Sequence, residues 1–393
     1  MPKVLRIINR FNLGGPTYNA AYLTRYLPSD FETMLIGGVP EPDEESSEFI
    51  LNKLGASYTL IPEMKRSLNY QNDRKAYQIV RNIIREFKPD IVHTHASKAG
   101  GVGRLAAKAE KVPVVIHTFH GHVFQDYFGP MKTLFYKNIE RRLAKSTTRI
   151  VAISDIQKDE ISRIHKITSP DKVVVIPLGF ALERFGINND LHRKLFREQY
   201  HIRDNELIVG HIARFAPVKE HGIFVEALSG IKEINGQRVR SVLVGDGETR
   251  SETVQYAINK GLTYSTPEHP NPDADIIFTS WIRDVDTAIP AFEILALSSR
   301  CEGTPVSLIE AQASGVPVVS TRVGGVQDII LEGETGISTQ SGNPEELRQA
   351  IVTLLSDKAR RESMGKKARE FAMSRFHYTR MVSEHAALYR SLL

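Results

Sequence analysis

Unbroken apolar runs a few residues long alternate with longer amphipathic stretches over almost the whole chain, and this alternation constrains the fold more than any other feature. The early runs fall at residues 4–10, 32–37, 57–61, 90–94, 112–118, 149–154 and 173–178. Many lack period-two alternation, as strands do when both sheet faces are covered. Between most of them lie stretches with helical spacing, such as 73–87 and 131–144. Strand–helix–strand repetition predicts an open, doubly wound parallel sheet, because parallel neighbours need a crossover and a helix supplies it. The pattern breaks at Pro177-Leu178-Gly179, and a polar, charged stretch follows from Ala181 to Asn205. It restarts at 207–212, 241–244, 276–281, 292–298 and 316–321. The reading is two doubly wound α/β domains, 1–180 and 206–375, joined by a linker at 181–205. A helical stretch, 378–393, follows with no strand after it. In such folds a ligand sits outside the carboxyl ends of the strands, so a cleft between the domains is the expected site.

The chain has 393 residues, a length that suits two domains at roughly 100–200 residues each. With 41% hydrophobic and 25% charged residues, disordered and fibrous classes are excluded. The apolar runs are far too short to cross a bilayer, and the first residues do not read as a secretory signal. Cys301 is the only cysteine, so an intramolecular disulfide is impossible and a cysteine-based metal site is not expected. A cytoplasmic location fits best. The net charge is +5, and the excess of cations lies within the first 180 residues. A basic half suggests an anionic partner: phosphate, nucleic acid or an acidic membrane surface.

Five groups of residues carry candidate chemistry. The first strand runs into Asn12-Leu13-Gly14-Gly15-Pro16-Thr17, where a helix starts. Glycines at such a turn let backbone N–H groups approach a phosphate, although an ordinary strand-to-helix turn looks the same. The strand at 207–212 leads to Arg214, with Lys219 five residues on; a planar fork beside a point charge suits a diphosphate, and also occurs on many plain surfaces. Gly245-Asp246-Gly247 is a second strand-to-glycine turn that closes over a base or phosphate, or is simply tight. Glu302 and Glu310 have seven residues between them, among them Gly303, Thr304, Pro305 and Val306. The N–H groups of Gly303, Thr304 and Val306 would face an anion or sugar hydroxyls, and two carboxylates at this spacing can reach two parts of one polyol. His93, His95, His117, His120 and His122 stand at the ends of neighbouring strands, for metal binding, substrate hydrogen bonding or structure.

The stretch from Pro130 to Ile150 is a basic amphipathic helix that faces either solvent or an anionic membrane. Three competing signals are weaker. Gly101-Val102-Gly103-Arg104-Leu105-Ala106 matches a dinucleotide fingerprint without the usual downstream acid. Asp273/Asp275 and Asp284/Asp286 are pairs of the kind that hold a metal–diphosphate. Cys301 has no base partner and reads as packing.

In their order and spacing, Gly14-Gly15, His120, Arg214…Lys219, Gly245-Asp246-Gly247 and Glu302…Glu310 resemble the retaining glycosyltransferases of family 4. The resemblance covers nearly the whole chain. It implies the GT-B fold, two Rossmann-like domains facing a central cleft, with 376–393 crossing back to the first domain. It implies a nucleotide-sugar donor, usually UDP-linked, and a glycan or lipid-linked acceptor in polysaccharide or cell-envelope synthesis, with no nucleic acid, no metal and no cofactor. Under it, Arg214, Lys219 and the Gly15 N–H hold the diphosphate, with Gly14, Gly245 and Asp246 beside the donor. Glu310 binds the ribose, and Glu302 with Gly303, Thr304, Pro305 and Val306 binds the sugar and distal phosphate. His120 stands beside the donor sugar. The family's usual reaction is front-face displacement with retention, the departing phosphate taking the acceptor proton. Membrane contact through 130–150 at the inner face of the cell membrane would suit a lipid-linked acceptor. This chain departs from the family at Glu220 and at Ser280-Trp281, where glycine is usual, and its strand at 292–298 lacks the common Asp and Pro. The alternatives are a UDP-sugar 2-epimerase on the same fold, an NAD-dependent oxidoreductase using Gly101–Ala106, and a non-catalytic nucleotide-sugar sensor.

Overall fold

The computed structural model describes residues 1–12, 15–41, 46–65, 67, 69–120 and 129–393. The chain divides into two compact units, Met1–Phe180 with Phe376–Leu393, and Ala181–Arg375. Each is an α/β unit around a parallel sheet.

The first unit runs β1 (Lys3–Arg10), α1 (Gly15–Tyr26), β2 (Glu32–Gly38), α2 (Glu48–Leu54), β3 (Tyr58–Leu60), α3 (Tyr70–Phe87), β4 (Ile91–His95), α4 (Ser97–Ala109), β5 (Val114–Phe119), α5 (Pro130–Lys145), β6 (Arg149–Ala152), α6 (Asp155–Asp159) and β7 (Val173–Val175). Its sheet order is β3-β2-β1-β4-β5-β6-β7, every pair parallel. The pleat divides β1 between two layers. Leu5 and Ile7 pack with Val80 and Ile84 of α3 and Ala106 of α4, while Ile8 packs with Ala20 and Ala21 of α1 and Leu51 of α2. The strand order reverses at β1/β4, so ligands are expected at the carboxyl ends of those two strands. There the chain carries Gly15 after β1 and His95 at the end of β4.

The second unit runs α7 (Asn189–Gln199), β8 (Leu207–Ile212), α8 (His221–Ser229), β9 (Glu233–Ile234), β10 (Gln237–Val244), α9 (Arg250–Asn259), β11 (Tyr264–Ser265), β12 (Ile276–Ser280), β13 (Ile294–Leu297), α10 (Val306–Ala313), β14 (Val318–Thr321), β15 (Gly336–Thr339), α11 (Pro344–Ser356) and α12 (Lys358–Phe376). The sheet order is β11-β12-β10-β8-β13-β14-β15, all parallel, with β9 antiparallel on β10. The core joins Val209, Leu243, Phe278 and Val319 to Phe224 of α8, Ala257 of α9 and Leu354 of α11. Here the reversal lies at β8/β13, which places the segments leading to Arg214 and to Glu302 side by side.

The stretch 181–205, expected as a linker, is instead folded into the second unit. Arg193 and Arg197 of α7 both bond Glu293 Oε1, at 2.6 and 3.2 Å, and Phe196 packs edge-on against Phe292. The stretch read as a linker because the partner of its arginines, Glu293, lies 100 residues beyond Arg193. The last helix, α13 (Tyr378–Leu392), belongs to the first unit. Tyr378 packs on Tyr22 and Tyr26 of α1, Arg390 pairs with Asp30 at 2.8 Å, and Tyr389 Oη lies 2.6 Å from His93 Nδ1.

Candidate active site

In the second unit the chemistry begins at β8. After Ile212 the chain passes Arg214, whose side chain is exposed, and forms a 3-10 turn over Pro217–Lys219. Backbone bonds from Ala213 N to Val244 O and from Phe215 N to Asp246 O fasten this segment to the Gly245-Asp246-Gly247 turn. Gly245 (φ 141°) and Gly247 (φ 149°) sit where a Cβ would overlap the carbonyl oxygens of Ala213 and Phe215. Both glycines are therefore required for that close approach. The Asp246 carboxylate is engaged within the turn, accepting from Gly247 N at 2.7 Å and from Ser280 Oγ at 2.9 Å. Ser280 and Glu220, the two family glycine positions that differ here, have φ of 64° and 46°. Both keep the left-handed backbone that glycine would adopt freely.

Lys219 reaches across to the loop after β13. Its Nζ donates to Glu302 Oε1 at 2.6 Å, and the same oxygen accepts from Ser299 Oγ at 2.6 Å. Ser299 is fully buried, and its carbonyl accepts from Thr321 Oγ1 of β14. Ser298 Oγ bonds the carbonyls of Lys219 and Glu220, both at 3.0 Å. Gly324 and Gly325 press on the loop from the other side, where a Cβ on either would overlap the carbonyl of Glu302 or Gly303. Glu302, only 9% exposed, is thus fixed by a cation and a hydroxyl. Gly303 is exposed with open space at its Cβ position, Thr304 is half-buried, and Pro305 caps α10, whose first residue is Val306. Ser299, Thr321 and the Gly324-Gly325 pair escaped sequence reasoning. The glycine pair was the one available signal.

Glu310 lies on α10. Burial pushes its carboxyl up to about 7, with Arg184 lowering it and Asp286 raising it. Arg184 pairs with Asp286 at 3.2 Å and Asp284 at 3.6 Å, and Arg238 and Thr263 hold Asp275. Ion pairs and hydrogen bonds thus account for both aspartate pairs read as metal–diphosphate candidates. Among the described residues, no group of three or more His, Cys, Asp or Glu is placed to hold a metal ion.

In the first unit Gly15 is the first residue of α1, so its N–H belongs to the unpaired first turn; Gly14 and His122 lie outside the described residues. His120 follows β5, and its Nε2 lies 3.0 Å from His95 Nδ1. Its Nδ1 makes no hydrogen bond among the described residues. Burial pushes His120 down to about 4, so the ring is neutral at neutral pH. Ala96, next to His95, is held at φ 67°, ψ 161°, a strained conformation for a residue with a Cβ. His93 and His117 are internal: His93 bonds Tyr389 Oη and Thr118 Oγ1, and His117 bonds Thr94 Oγ1. The Gly101–Ala106 fingerprint lies inside helix α4, where a Cβ on Gly103 would come within 2.6 Å of Thr94. Gly103 serves helix–strand packing, Gly101 has open space at its Cβ position, and no dinucleotide turn exists there.

Comparison with known proteins agrees with this geometry. Residues 192–371 match the family model described as glycosyl transferases group 1, and residues 13–184 match glycosyltransferase family 4. The chain is 29% identical over 334 residues to the UDP-Gal:alpha-D-GlcNAc-diphosphoundecaprenol alpha-1,3-galactosyltransferase of Escherichia coli, spanning 84% of this chain and 82% of that one. It is 25% identical over 336 residues to the capsular polysaccharide biosynthesis glycosyltransferase CapM of Staphylococcus aureus, spanning 84% of each. A structure of Anabaena Alr3699/HepE in complex with UDP aligns with a TM-score of 0.80 at 19% identity, covering 99% of this chain and 100% of that one. That likeness bears on the fold alone, two parallel-sheet domains of the GT-B kind.

Proposed function

This chain belongs to glycosyltransferase family 4, and we propose that it moves a hexose from a UDP-sugar to a hydroxyl of a lipid-linked saccharide, with retention and without a metal. The observation that carries the reading is the Lys219–Glu302–Ser299 arrangement beside an exposed Arg214. Arg214 and Lys219 hold the diphosphate and stabilise its growing charge as the C1–O bond breaks. In the first unit, the family resemblance assigns Gly14 and the Gly15 N–H to phosphate binding. Glu310 accepts from the ribose hydroxyls. Glu302 and the Gly303, Thr304 and Val306 N–H groups bind the sugar hydroxyls and distal phosphate. Gly245 and Asp246 hold the Arg214 loop in register. Neutral His120 is the family's residue for a donor-sugar hydroxyl, with Nδ1 the nitrogen turned away from His95. The acceptor oxygen attacks C1 from the face the phosphate leaves, and its proton passes to the departing phosphate oxygen.

The E. coli relative, by its name, takes UDP-Gal and a diphosphoundecaprenol-linked acceptor, which supports a lipid-linked saccharide here. So does α5. Its Met131, Leu134 and Phe135 are exposed, and its single acid, Glu140, is buried against Arg104 at 2.7 Å. That leaves Lys137, Arg142 and Lys145 without an exposed acid on the same helix, which suits an anionic bilayer surface. No helix among the described residues is long and apolar enough to cross a membrane. The test is transfer from a panel of radiolabelled UDP-sugars to a synthetic polyprenyl-diphosphate saccharide in EDTA, with the anomeric proton of the product read by NMR. An α-linked product from an α-linked donor is expected. A β-linked product refutes retention, and UDP-sugar epimerised with no acceptor present favours the epimerase.

A further inference from the structure

Behind the Arg214–Lys219 loop the second unit contains a cavity of about 680 Å³ that the donor reading does not use. It is bounded by Ala216 and Pro217 of the loop, by Glu220 and His221 at the start of α8, and by α9. Its size is that of small-molecule sites. Helix α9 supplies Glu252, Thr253, Gln255, Tyr256 and Asn259 to the wall. No Lys or Arg lines it.

The wall contains unmatched polar groups. His221 is 2% exposed, and both its ring nitrogens lack a hydrogen-bond partner. Glu220 Oε2 and Thr249 Oγ1 are buried and equally unpartnered. Glu220 also sits at φ 46°, ψ 48°, where glycine would be free of strain, so the chain carries a carboxylate there at a conformational penalty. Such groups are open to hydrogen bonds from a molecule seated in the cavity. Glu220 and Glu252 give a lining without Lys or Arg, which disfavours phosphate there, with Lys260 Nζ 5.3 Å over the Tyr256 ring as the nearby cation. Carboxylates and hydroxyls accept from sugar hydroxyls, and the Asn259 amide, whose Oδ1 accepts from Gln255 Nε2 at 3.1 Å, keeps its NH2 to donate to them. The Tyr256 ring is held by a 2.6 Å bond from its hydroxyl to Glu226.

We propose that this cavity is a second carbohydrate site, taking a neutral or amino-bearing saccharide of a few sugar units. It is distinct from the donor site, so its test is read independently of transfer. Saturation-transfer NMR on the full chain would use glucose, galactose, N-acetylglucosamine and glucosamine, free and as tetrasaccharides, with tetralysine as the control. Glu252→Arg combined with Gln255→Arg changes two exposed side chains of α9, leaving the Lys219 loop intact. At least one saccharide is expected to bind. In the double variant its binding should weaken about tenfold, the scale of one lost charged hydrogen bond, while the UDP thermal shift stays unchanged. In Lys219→Ala the saccharide signal should persist while the UDP shift falls. The proposal is overturned if no saccharide binds, if only tetralysine binds, if UDP displaces the saccharide, or if the double variant binds it as well as the native chain.

Discussion

Lys219 Nζ and Glu302 Oε1 lie 2.6 Å apart, joining the loop after β8 to the loop after β13 at the point where the strand order reverses. Glu302 is nearly buried and Lys219 only partly, so the ammonium is the side of the pair that a phosphate can reach. Lys219→Ala removes a placed cation and leaves Glu302 without its charge partner. Transfer is expected to lose about 2–4 kcal/mol of transition-state stabilisation, the scale of one preorganised donor, in kcat/KM from initial rates. Glu310→Gln is expected to lose a similar amount. Unchanged turnover in both would remove the site assignment.

Ser299 acts through Glu302. Ser299→Ala deletes one of the two donors to Oε1 and leaves Lys219 in place. A drop of about tenfold in kcat is expected, the cost of one hydrogen bond to a charged group, with donor KM little changed and partial rescue by Thr. A KM effect of the same size would place Ser299 in ground-state binding instead.

Gly325→Ala puts a methyl group into the carbonyl of Gly303. The Glu302–Gly303 loop must then shift, and a small shift at a reacting centre is expensive. Activity should fall at least as far as in Ser299→Ala, while far-ultraviolet circular dichroism stays native. Full activity would show that the loop position does not matter.

Stability should rise between pH 5 and pH 7. Burial lowers seven histidines: His93, His95, His117, His120, His211, His221 and His385. Below about 6.5 the unfolded chain binds protons that the native state resists, so stability falls as pH drops. Glu310 has the opposite sign. Its native carboxyl keeps a proton up to about 7 while the unfolded one loses it near 4.5, so its contribution declines as pH rises through that window. His120 and His221, each pushed to about 4, move as far as Glu310 does and together outweigh it. Urea midpoints should therefore increase from pH 5 to pH 7, and Glu310→Gln should steepen the increase. A flat profile in the native chain would contradict the buried, neutral histidines.

The sheets and both glycine-bounded loops were legible in the sequence because apolar runs and strand-end motifs are local signals. The spacings of Arg214 to Lys219 and of Glu302 to Glu310 singled these residues out as candidates, and the fold brings Lys219 onto Glu302. The partner of Arg197 was hidden, since Glu293 lies far away along the chain and only folding joins them. Ser299 looked like any serine ending an apolar strand. The bonds that Gly247 N and Ser280 Oγ donate to the Asp246 carboxylate were hidden, since Ser280 lies 34 residues away. The left-handed backbone at Glu220 and Ser280 was hidden because neither residue type signals it.

The α5 face gives a separate test of membrane contact. The native chain should float with vesicles containing phosphatidylglycerol at low salt and be released as salt rises, because surface charge attraction is screened. Leu134→Asp with Phe135→Asp should abolish flotation while leaving UDP binding intact. Flotation with uncharged vesicles alone would contradict the electrostatic part.

The most direct measurement is calorimetric titration of UDP into the native chain and Lys219→Ala, both in EDTA. Saturable binding in EDTA, weakened at least about tenfold by the substitution, is the predicted result. UDP binding that needs an added divalent metal, or that is unchanged in Lys219→Ala, would contradict the metal-free site built on Lys219 and Glu302.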